Sequence, residues 1–308
     1  MDEIPVTEIC SSQMEEEHAN VVPDDVLVSV VMTTYNHANF IAQAIESVLM
    51  QKTSFSVELC IGEDESSDET RAICVAYAEK YPDKIRLFLR SRKDVIYING
   101  VPSGRRNGLK TMRACRGRYL AILEGDDKWT DPYKLQKQVD YFETHAQCGV
   151  VCHYATVIDQ DNVVLETPQE LSARKLCWHH FFVGSGERKG TRHLTTMFRR
   201  KLIERFIGNE WSKDVYAGDR FLKGCALQAD YCGYVIPEIM GAYRVHRGGI
   251  YSLQPKIAKL KHRISDDWIT FRYVLKGYQL LRLRLLFSML KRIARLLFMQ
   301  ASRRREQK

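Results

Sequence analysis

An almost unbroken apolar run near the start of the chain restricts the folds that this sequence can adopt. Residues 26–33 read VLVSVVMT, and only Ser29 interrupts the run before Thr33. A strand with one face in water alternates apolar and polar residues, whereas a strand buried on both faces is apolar throughout. Apolar residues then recur at helical spacing between Phe40 and Leu49. The sequence therefore predicts an inner strand of a parallel sheet, followed by a helix.

Strand and helix patterns continue to alternate along the first half of the chain. Further strands are predicted at Val57–Ile61, Ile85–Leu89 and Tyr119–Leu123. The helix between the first two of these is predicted to begin at a Ser66-x-x-Glu69 capping box. This order is typical of an α/β fold with a Rossmann-like, mostly parallel sheet flanked by helices.

The second half of the chain is more mixed. Strand-like segments near Val150–Tyr154 and His193–Phe198, and a helix over about Asp219–Gln228, predict a part that completes and covers the sheet. We therefore expect a loose acidic leader (1–25), a main domain (26–255, with halves 26–149 and 150–255) and a basic amphipathic helical tail (256–308).

The net charge of +8 is unevenly distributed along the chain. Residues 1–25 contain eight acidic residues and no Lys or Arg, whereas residues 271–308 contain eleven basic residues and one acidic residue. The core is thus close to neutral, and any attraction to polyanions belongs to the tail. We expect no nucleic acid partner, because such a partner would leave the carboxylates described below unexplained.

The tail has two opposed faces when it is drawn as a helix. Leucines and isoleucine share one face and basic residues the other, namely Leu283, Leu286, Leu290, Ile293 and Leu297 against Arg284, Lys291 and Arg295. These charges exclude a simple spanning helix, which needs ~20 mainly apolar residues. Two interpretations remain, a helix docked on the domain and an interfacial helix on an anionic membrane, and we favour the second.

Cysteine usage and the N-terminal composition indicate the compartment. None of the nine cysteines forms a Cys-x-x-Cys pair, which argues against a structural zinc site. Residues 1–25 have no basic segment followed by an apolar one, so they do not resemble a secretory signal. We expect a cytoplasmic protein, peripheral on the cytoplasmic face of the membrane.

Polar side chains follow three of the predicted strands at the point where each strand ends. These segments read Thr33-Thr34-Tyr35-Asn36, Glu63-Asp64-Glu65 and Glu124-Gly125-Asp126-Asp127. The carboxyl ends of parallel strands meet at one edge of a sheet, where ligands bind. No glycine-rich phosphate loop is present, so the carboxylates predict a divalent cation, Mn²⁺ or Mg²⁺, as the bridge to a bound phosphate.

Five segments in order resemble glycosyltransferase family 2, whose members have the GT-A fold. The segments are VSVVMTTYNHANFIAQAIESVLMQ, VELCIGEDESSDET, GRYLAILEGDDKWTDPYKLQKQV, AGDRFLKGCAL and YRVHRGG. Together they extend over roughly residues 26–252. The resemblance implies a catalytic domain over 26–255, with residues 26–149 as the donor half and 150–255 as the acceptor half.

The resemblance also implies residue roles. Thr33, Tyr35 and Asp64 would hold the nucleotide base, which is uracil in many relatives. Asp126 would meet the ribose and Asp127 the metal and diphosphate, with Asp126 as a further candidate metal contact. Asp219 would be the general base of an inverting displacement. Arg106 is a candidate phosphate contact and His246 a candidate metal contact.

The implied reaction is transfer of a sugar from a nucleoside-diphosphate sugar, a UDP-sugar in many relatives, to a saccharide or lipid-linked acceptor in surface polysaccharide assembly. Two features depart from the family pattern. Glu63-Asp64-Glu65-Ser66 replaces Asp-Asp-Gly-Ser, and Glu124 stands where relatives often have Asp.

Plainer interpretations exist for these residues. Asp219 would also serve as a helix N-cap, Asp126-Asp127 as an ordinary turn and Tyr35 as a core aromatic. Two other functions are compatible with parts of the chain. One is a nucleotidyltransferase on a related fold, and the other is a basic membrane or nucleic-acid adaptor.

Overall fold

The computed structural model describes residues 16–98, 101–182, 191–209, 212, 214–227, 231–246, 255–275 and 278–306. Its strands are β1 (Glu16–Glu17), β2 (Val28–Thr34), β3 (Val57–Glu63), β4 (Ile85–Leu89), β5 (Ile96–Ile98), β6 (Val101–Ser103), β7 (Tyr119–Ile122), β8 (Lys128–Trp129), β9 (Cys148–Ile158), β10 (Val164–Glu166), β11 (Arg174–Leu176), β12 (Met197–Arg199) and β13 (Cys232–Arg244). Its helices are α1 (Ile41–Leu49), α2 (Thr70–Lys80), α3 (Arg105–Ala114), α4 (Lys134–Thr144), α5 (Trp178–Phe182), α6 (Arg200–Ile207), α7 (Gly218–Ala226), α8 (Lys256–Ile269) and α9 (Gln279–Glu306).

Most of the described strands form one sheet, and its strands β4, β3, β2 and β7 are parallel to one another. The strand order is β1-β4-β3-β2-β7-β12-β9-β13-β11, with β10 beside β9 and β8 beside β13. β2 lies between β3 and β7, and Val30 is the register partner of both Leu59 and Ala121. The predicted α/β fold, with a largely parallel sheet flanked by helices, is confirmed.

Both faces of the sheet are covered, as the apolar run in β2 predicts. Val30 and Met32 contribute to a core that also contains Ile45 of α1. Val31 points to the opposite face, into a core that contains Phe221 of α7. Successive side chains of one strand thus enter two separate cores, which explains why the run contains so few polar residues.

β13 brings a late segment of the chain back into the sheet beside β9. β12 runs antiparallel between β7 and β9, and β13 returns parallel to β9. The far end of β13 pairs with β8, where Gly241 is the register partner of Trp129. The residues that follow β13 are therefore placed beside the turn between β7 and β8.

The start of α2 differs from the predicted capping box. Glu69 precedes the helix without a side-chain capping bond, and Oδ1 of Asp68 accepts the N–H of Thr70 instead. Ser66 is engaged elsewhere, because its Oγ accepts the N–H of Asn36 in the loop after β2. The contact with this neighbouring loop replaces the local bond that the spacing predicts.

Residues 16–25, which fall in the predicted leader, lie against the edge of the sheet. β1 pairs antiparallel with β4, and Glu17 accepts a hydrogen bond of 2.8 Å from Arg86. Val22 is 7% exposed. The remainder of the predicted leader, residues 1–15, lies outside the described residues.

The predicted tail divides into a packed part and an exposed part. Asp267 of α8 accepts hydrogen bonds from Arg220 of α7 and Arg292 of α9, and Leu285 of α9 is fully buried. Leu297 and Phe298, further along α9, are 61% and 73% exposed. The boundary predicted at residue 255 placed α8 in the tail, outside the main domain. In the structure, α8 packs against that domain. No helix in the described part of the chain is both long and apolar enough to cross a bilayer.

Candidate active site

A cleft of about 570 Å³ opens at the carboxyl ends of β2 and β7. Thr33 of β2 and Glu124, two residues after β7, line it, and so do Arg105 and Asp219 in the first turns of α3 and α7. Residues of α8 close another side. The cleft therefore lies at the sheet edge where an α/β fold collects ligands.

Asp126 is the central residue of a candidate metal site. Its Oδ2 lies 3.0 Å from Nε2 of His246 and 4.0 Å from Nε2 of His37. One potential ligand atom of each of the three residues lies within 4.8 Å of the others. Burial alone would raise the pKa of Asp126, but its hydrogen bond with His246 and the nearby charge of His37 hold that pKa below its usual value. A carboxylate and two imidazoles at this spacing fit a divalent cation.

His37 was not identified from the sequence. Its ring is fixed by a contact of 3.2 Å between Nδ1 and Oγ1 of Thr34, and its N–H is donated to Thr70. Asn36 before it has φ of 54°, a left-handed conformation that asparagine tolerates. A Cβ on Gly125 would lie 3.0 Å from Nδ1 of His37, so the glycine permits this close approach. The Asn36-His37 pair, separated from the end of β2 by one residue, is the signal that sequence analysis could have used.

Asp127 has a different environment from Asp126. It is 3% exposed, and its Oδ1 accepts the N–H of Arg244 at 2.8 Å. Burial and the negative charges of Asp126 and Glu124 raise the pKa of Asp127 well above its usual value. Asp127 therefore joins β13 to the turn after β7, and it lies outside the group formed by Asp126 with His37 and His246.

Glu124 and His193 face each other with 3.6 Å between Oε1 and Nε2. Burial, with the charges of Asp126 and Asp219, raises the pKa of Glu124 to about 8. Burial and the nearby charge of Lys223 lower the pKa of His193 to about 3. The environment of this pair therefore favours the neutral form of each group.

Tyr35 and Asp64 are joined by an arginine that the sequence did not reveal. Nη1 of Arg92 donates to Asp64 over 2.7 Å, and the guanidinium carbon lies 3.8 Å from the centre of the Tyr35 ring. Burial raises the pKa of Asp64, and the charge of Arg92 opposes that rise. Tyr35 is 39% exposed, so it is not the core aromatic of the plainer interpretation. Thr33, the third residue of this predicted set, lines the cleft itself.

Asp219 lies in the first turn of α7, with its Oδ2 3.6 Å from Nζ of Lys223. No side-chain capping bond precedes this helix. The backbone before it is held from α8, because the carboxylate of Asp266 accepts the N–H groups of Tyr216 and Ala217. Asp219, the general base that the resemblance implies, therefore lines the cleft, and the backbone before it is held in place by α8.

Arg105, and not Arg106, is the arginine of α3 that lines the cleft. Nη2 of Arg105 donates to the carbonyl oxygen of Tyr216 over 2.9 Å. This contact places its guanidinium beside the backbone that leads to Asp219. Arg106 remains a predicted phosphate contact, since none of the contacts described here tests it.

Comparison with known proteins identifies the family. Residues 29–206 match the model of glycosyl transferase family 2, a span of more than half the chain. The chain belongs to glycosyl transferase family 2. The matched span of this family 2 chain contains His37 and Asp126 and ends before Asp219 and His246.

Two relatives show how far the similarity extends. An uncharacterized protein of Mycobacterium tuberculosis is 31% identical over 231 residues, which cover 73% of this chain and 60% of that protein. The chain thus spans only 60% of the length of that relative. The β-1,3-glucosyltransferase WfgD of Escherichia coli is 27% identical over 249 residues, which cover 80% of this chain and 88% of WfgD.

Two solved structures share the fold. TarS of S. aureus, in complex with UDP-GlcNAc, superimposes with a TM-score of 0.56 at 16% identity, covering 80% of this chain and 67% of TarS. The mannosyltransferase PcManGT of Pyrobaculum calidifontis, in complex with GDP-Man and Mn²⁺, gives 0.55 at 18% identity, covering 82% and 67%. At these identities the similarity establishes the GT-A architecture alone.

Proposed function

We propose that this family 2 chain is an inverting, metal-dependent glycosyltransferase that uses a UDP-sugar and a saccharide or lipid-linked acceptor. The observation that carries the proposal is that Asp126, with His37 and His246 beside it, and Asp219 line or border a single cleft. A donor diphosphate and an acceptor hydroxyl therefore have separate carboxylates available within one site.

Asp126, His246 and His37 would hold the cation. Two imidazoles favour a transition-metal ion, and Mn²⁺ suits such a mixed set better than Mg²⁺, which prefers oxygen ligands. When bound, the cation would supply positive charge to the diphosphate as it departs. PcManGT holds Mn²⁺ with its GDP-Man.

The nucleotide base of the donor would bind at Tyr35, Arg92 and Asp64, next to Thr33. Arg92 already holds the Asp64 carboxylate and covers one side of the Tyr35 ring, so the ring and carboxylate are preorganised for a planar, hydrogen-bonding ligand. Uracil is the proposed base, since TarS binds UDP-GlcNAc and WfgD is a UDP-Glc enzyme.

Asp219 would take the proton of the acceptor hydroxyl while the hydroxyl oxygen bonds to the anomeric carbon. The bond from that carbon to the diphosphate breaks as the new bond forms, so the anomeric centre inverts and one base suffices. Lys223, 3.6 Å from Asp219, compensates the carboxylate charge. Once protonated, Asp219 has no further role in a single displacement.

We assign the reaction to surface polysaccharide assembly, on the cytoplasmic face of the membrane. WfgD acts on a sugar diphosphoundecaprenol, which is a lipid-linked acceptor. The exposed Leu297 and Phe298 and the basic residues of α9 supply apolar and positive surface for an anionic leaflet.

A panel of nucleotide sugars tests the proposal by protection against thermal unfolding, because a ligand that binds only the folded state raises Tm. A UDP-sugar is expected to raise Tm with Mn²⁺ and to have little effect in EDTA. Protection by no nucleotide sugar contradicts the proposed function. Protection by a GDP-sugar alone contradicts only the choice of uracil.

A further inference from the structure

We propose that the acceptor carries a phosphate or diphosphate group, which binds to a basic wall formed by Arg105 of α3 with Lys259 and Arg263 of α8. This inference rests on the proposed function, because the role of Asp219 is what identifies this end of the cleft as the acceptor end. All three cationic side chains line the cleft.

The wall lies beside Asp219, the proposed general base, and not beside the candidate metal site. Arg105 donates to the carbonyl oxygen of Tyr216, and the ring of His262 stacks on the Tyr216 ring with 3.9 Å between their centres. Asp266 accepts the N–H groups of Tyr216 and Ala217. Both elements of the wall therefore contact the residues that lead directly to Asp219.

The spacing in α8 directs the wall into the cleft. His262, Arg263 and Asp266 lie three, four and seven residues after Lys259, so all three share a helix face with it, and all four residues line the cleft. Burial lowers the pKa of His262, which leaves Lys259 and Arg263 as the cations of this face near pH 7.

The carboxylates at this end already have positive neighbours on α7 and α9. Lys223 lies 3.6 Å from Asp219, Arg220 lies 4.0 Å from Asp266, and Arg220 and Arg292 both contact Asp267. Arg105, Lys259 and Arg263 add three positive side chains to the lining of this end of the cleft, which favours an anionic ligand there.

Phosphate chemistry fits this wall better than a single carboxylate. Two guanidinium groups present planar sets of donors, and an ammonium group adds a point charge from a second direction. A phosphate or diphosphate offers oxygens to all three, whereas a carboxylate has only two. Nε of Arg105 is buried and has no hydrogen-bond partner among the described residues, so a donor is available within the wall.

Calorimetry of the full chain in EDTA separates this wall from the donor site, because binding of the donor diphosphate depends on the cation. Geranyl diphosphate and inorganic pyrophosphate are the probes. We expect wild type to bind a probe without metal, and Lys259→Gln and Arg263→Gln each to weaken that binding about 10- to 100-fold. Lys261→Gln is the matched control, since Lys261 is exposed on the same helix and does not line the cleft.

The two probes distinguish the source of the phosphate. Tighter binding of geranyl diphosphate indicates a lipid-linked acceptor, and equal binding indicates a phosphate on a soluble acceptor; both results support the wall. Wild type that binds neither probe in EDTA overturns it, and so does an equal loss in Lys261→Gln and Lys259→Gln.

UDP with Mn²⁺, titrated into the same variants, keeps the two proposals apart. Unchanged UDP affinity in Lys259→Gln supports an acceptor role, whereas a matching loss shows that the wall serves the donor and overturns the inference. If UDP fails to bind wild type but geranyl diphosphate binds through Lys259, the proposed donor is wrong and the basic wall stands. Lys259→Gln also covers the case in which Arg263→Gln, which loses a bond to the Phe181 carbonyl oxygen, fails to fold.

Discussion

The guanidinium of Arg105 occupies the space that a side chain at residue 218 would need. A Cβ built on Gly218 would lie 1.6 Å from Nη1 of Arg105. Gly218 directly precedes Asp219, so the absence of a side chain there lets an arginine of α3 pack against the start of α7. The positions of Asp219 and of Arg105 in the proposed basic wall therefore both depend on Gly218.

Gly218→Ala is expected to displace Arg105 and to disturb Asp219. A shift of about 1 Å at a reacting group costs about 10²-fold in rate, so turnover should fall by roughly that factor. Steady-state kinetics and UDP binding measure the effect, with donor affinity expected to remain. Gly104→Ala is the matched control, because a Cβ there meets nothing within 4 Å. Wild-type turnover in Gly218→Ala would show that the position of Arg105 is unimportant.

Asp219→Asn retains the size of the side chain but removes its basicity. Turnover should fall by about 10²- to 10⁴-fold, while donor binding by calorimetry stays unchanged. Asp214→Asn, an exposed position shortly before α7, serves as the control. If Asp219→Asn turns over at the wild-type rate, the proton is accepted by another group.

Asp126 and Asp127 should respond differently to the same substitution. Asp126→Asn is expected to weaken Mn²⁺ binding by about 100-fold, since losing even an outer partner of a ligand costs about 10- to 100-fold. Asp127→Asn should retain Mn²⁺ affinity, because Asn still accepts the Arg244 N–H and the raised pKa of Asp127 already favours the neutral form. The opposite ranking in a Mn²⁺ titration would assign the metal to Asp127, as the family resemblance implies.

His193 should make the metal-free protein sensitive to mild acid. Its pKa is lowered from 6.5 to about 3, so the unfolded chain takes up a proton at a pH where the folded chain does not. The contribution of neutral His193 to the free energy of unfolding is therefore present above pH 6.5 and is lost as the pH falls toward 3. Between pH 7 and 5 wild type should lose about 1–2 kcal/mol more free energy of unfolding than His193→Gln. Parallel curves for the two proteins in urea titrations would contradict this prediction.

The exposed end of α9 should bind anionic vesicles. Leu297→Ser with Phe298→Ser removes apolar surface that salt does not screen, and should reduce cosedimentation with phosphatidylglycerol vesicles at high salt. Leu165→Ser, at a position 58% exposed in β10, is the control. Truncation after Lys276 is a poorer test, because it also removes buried Leu285 and Arg292, the partner of Asp267. Unchanged cosedimentation at both low and high salt would exclude α9 as the contact.

The fold could be predicted because its signal is local. The alternation of Val30, Val31 and Met32 between two cores leaves an apolar run in the sequence, and that run alone indicates an inner strand. The start of α2 was predicted wrongly, because a loop that is distant in sequence contacts it in the fold. Ser66 bonds to Asn36, thirty residues away, in place of its own helix.

The site could be predicted only in part, since its contacts span long stretches of chain. Asp126 and Asp219 follow a strand and open a helix, so position and resemblance together mark them. Arg92 meets Asp64 across 28 residues, and Arg105 meets Tyr216 across 111. Such pairs carry no periodic signal, and only the folded topology brings them together.

The pairing of β13 with β8 also sets an order of events during protein synthesis. Asp126 and His246 are 120 residues apart. At about 5–20 residues per second, His246 is therefore translated about 6–24 s after Asp126. The strands β2, β3 and β7 are translated long before this histidine, so a nascent chain on the ribosome would lack the complete proposed metal site until β13 joins the sheet.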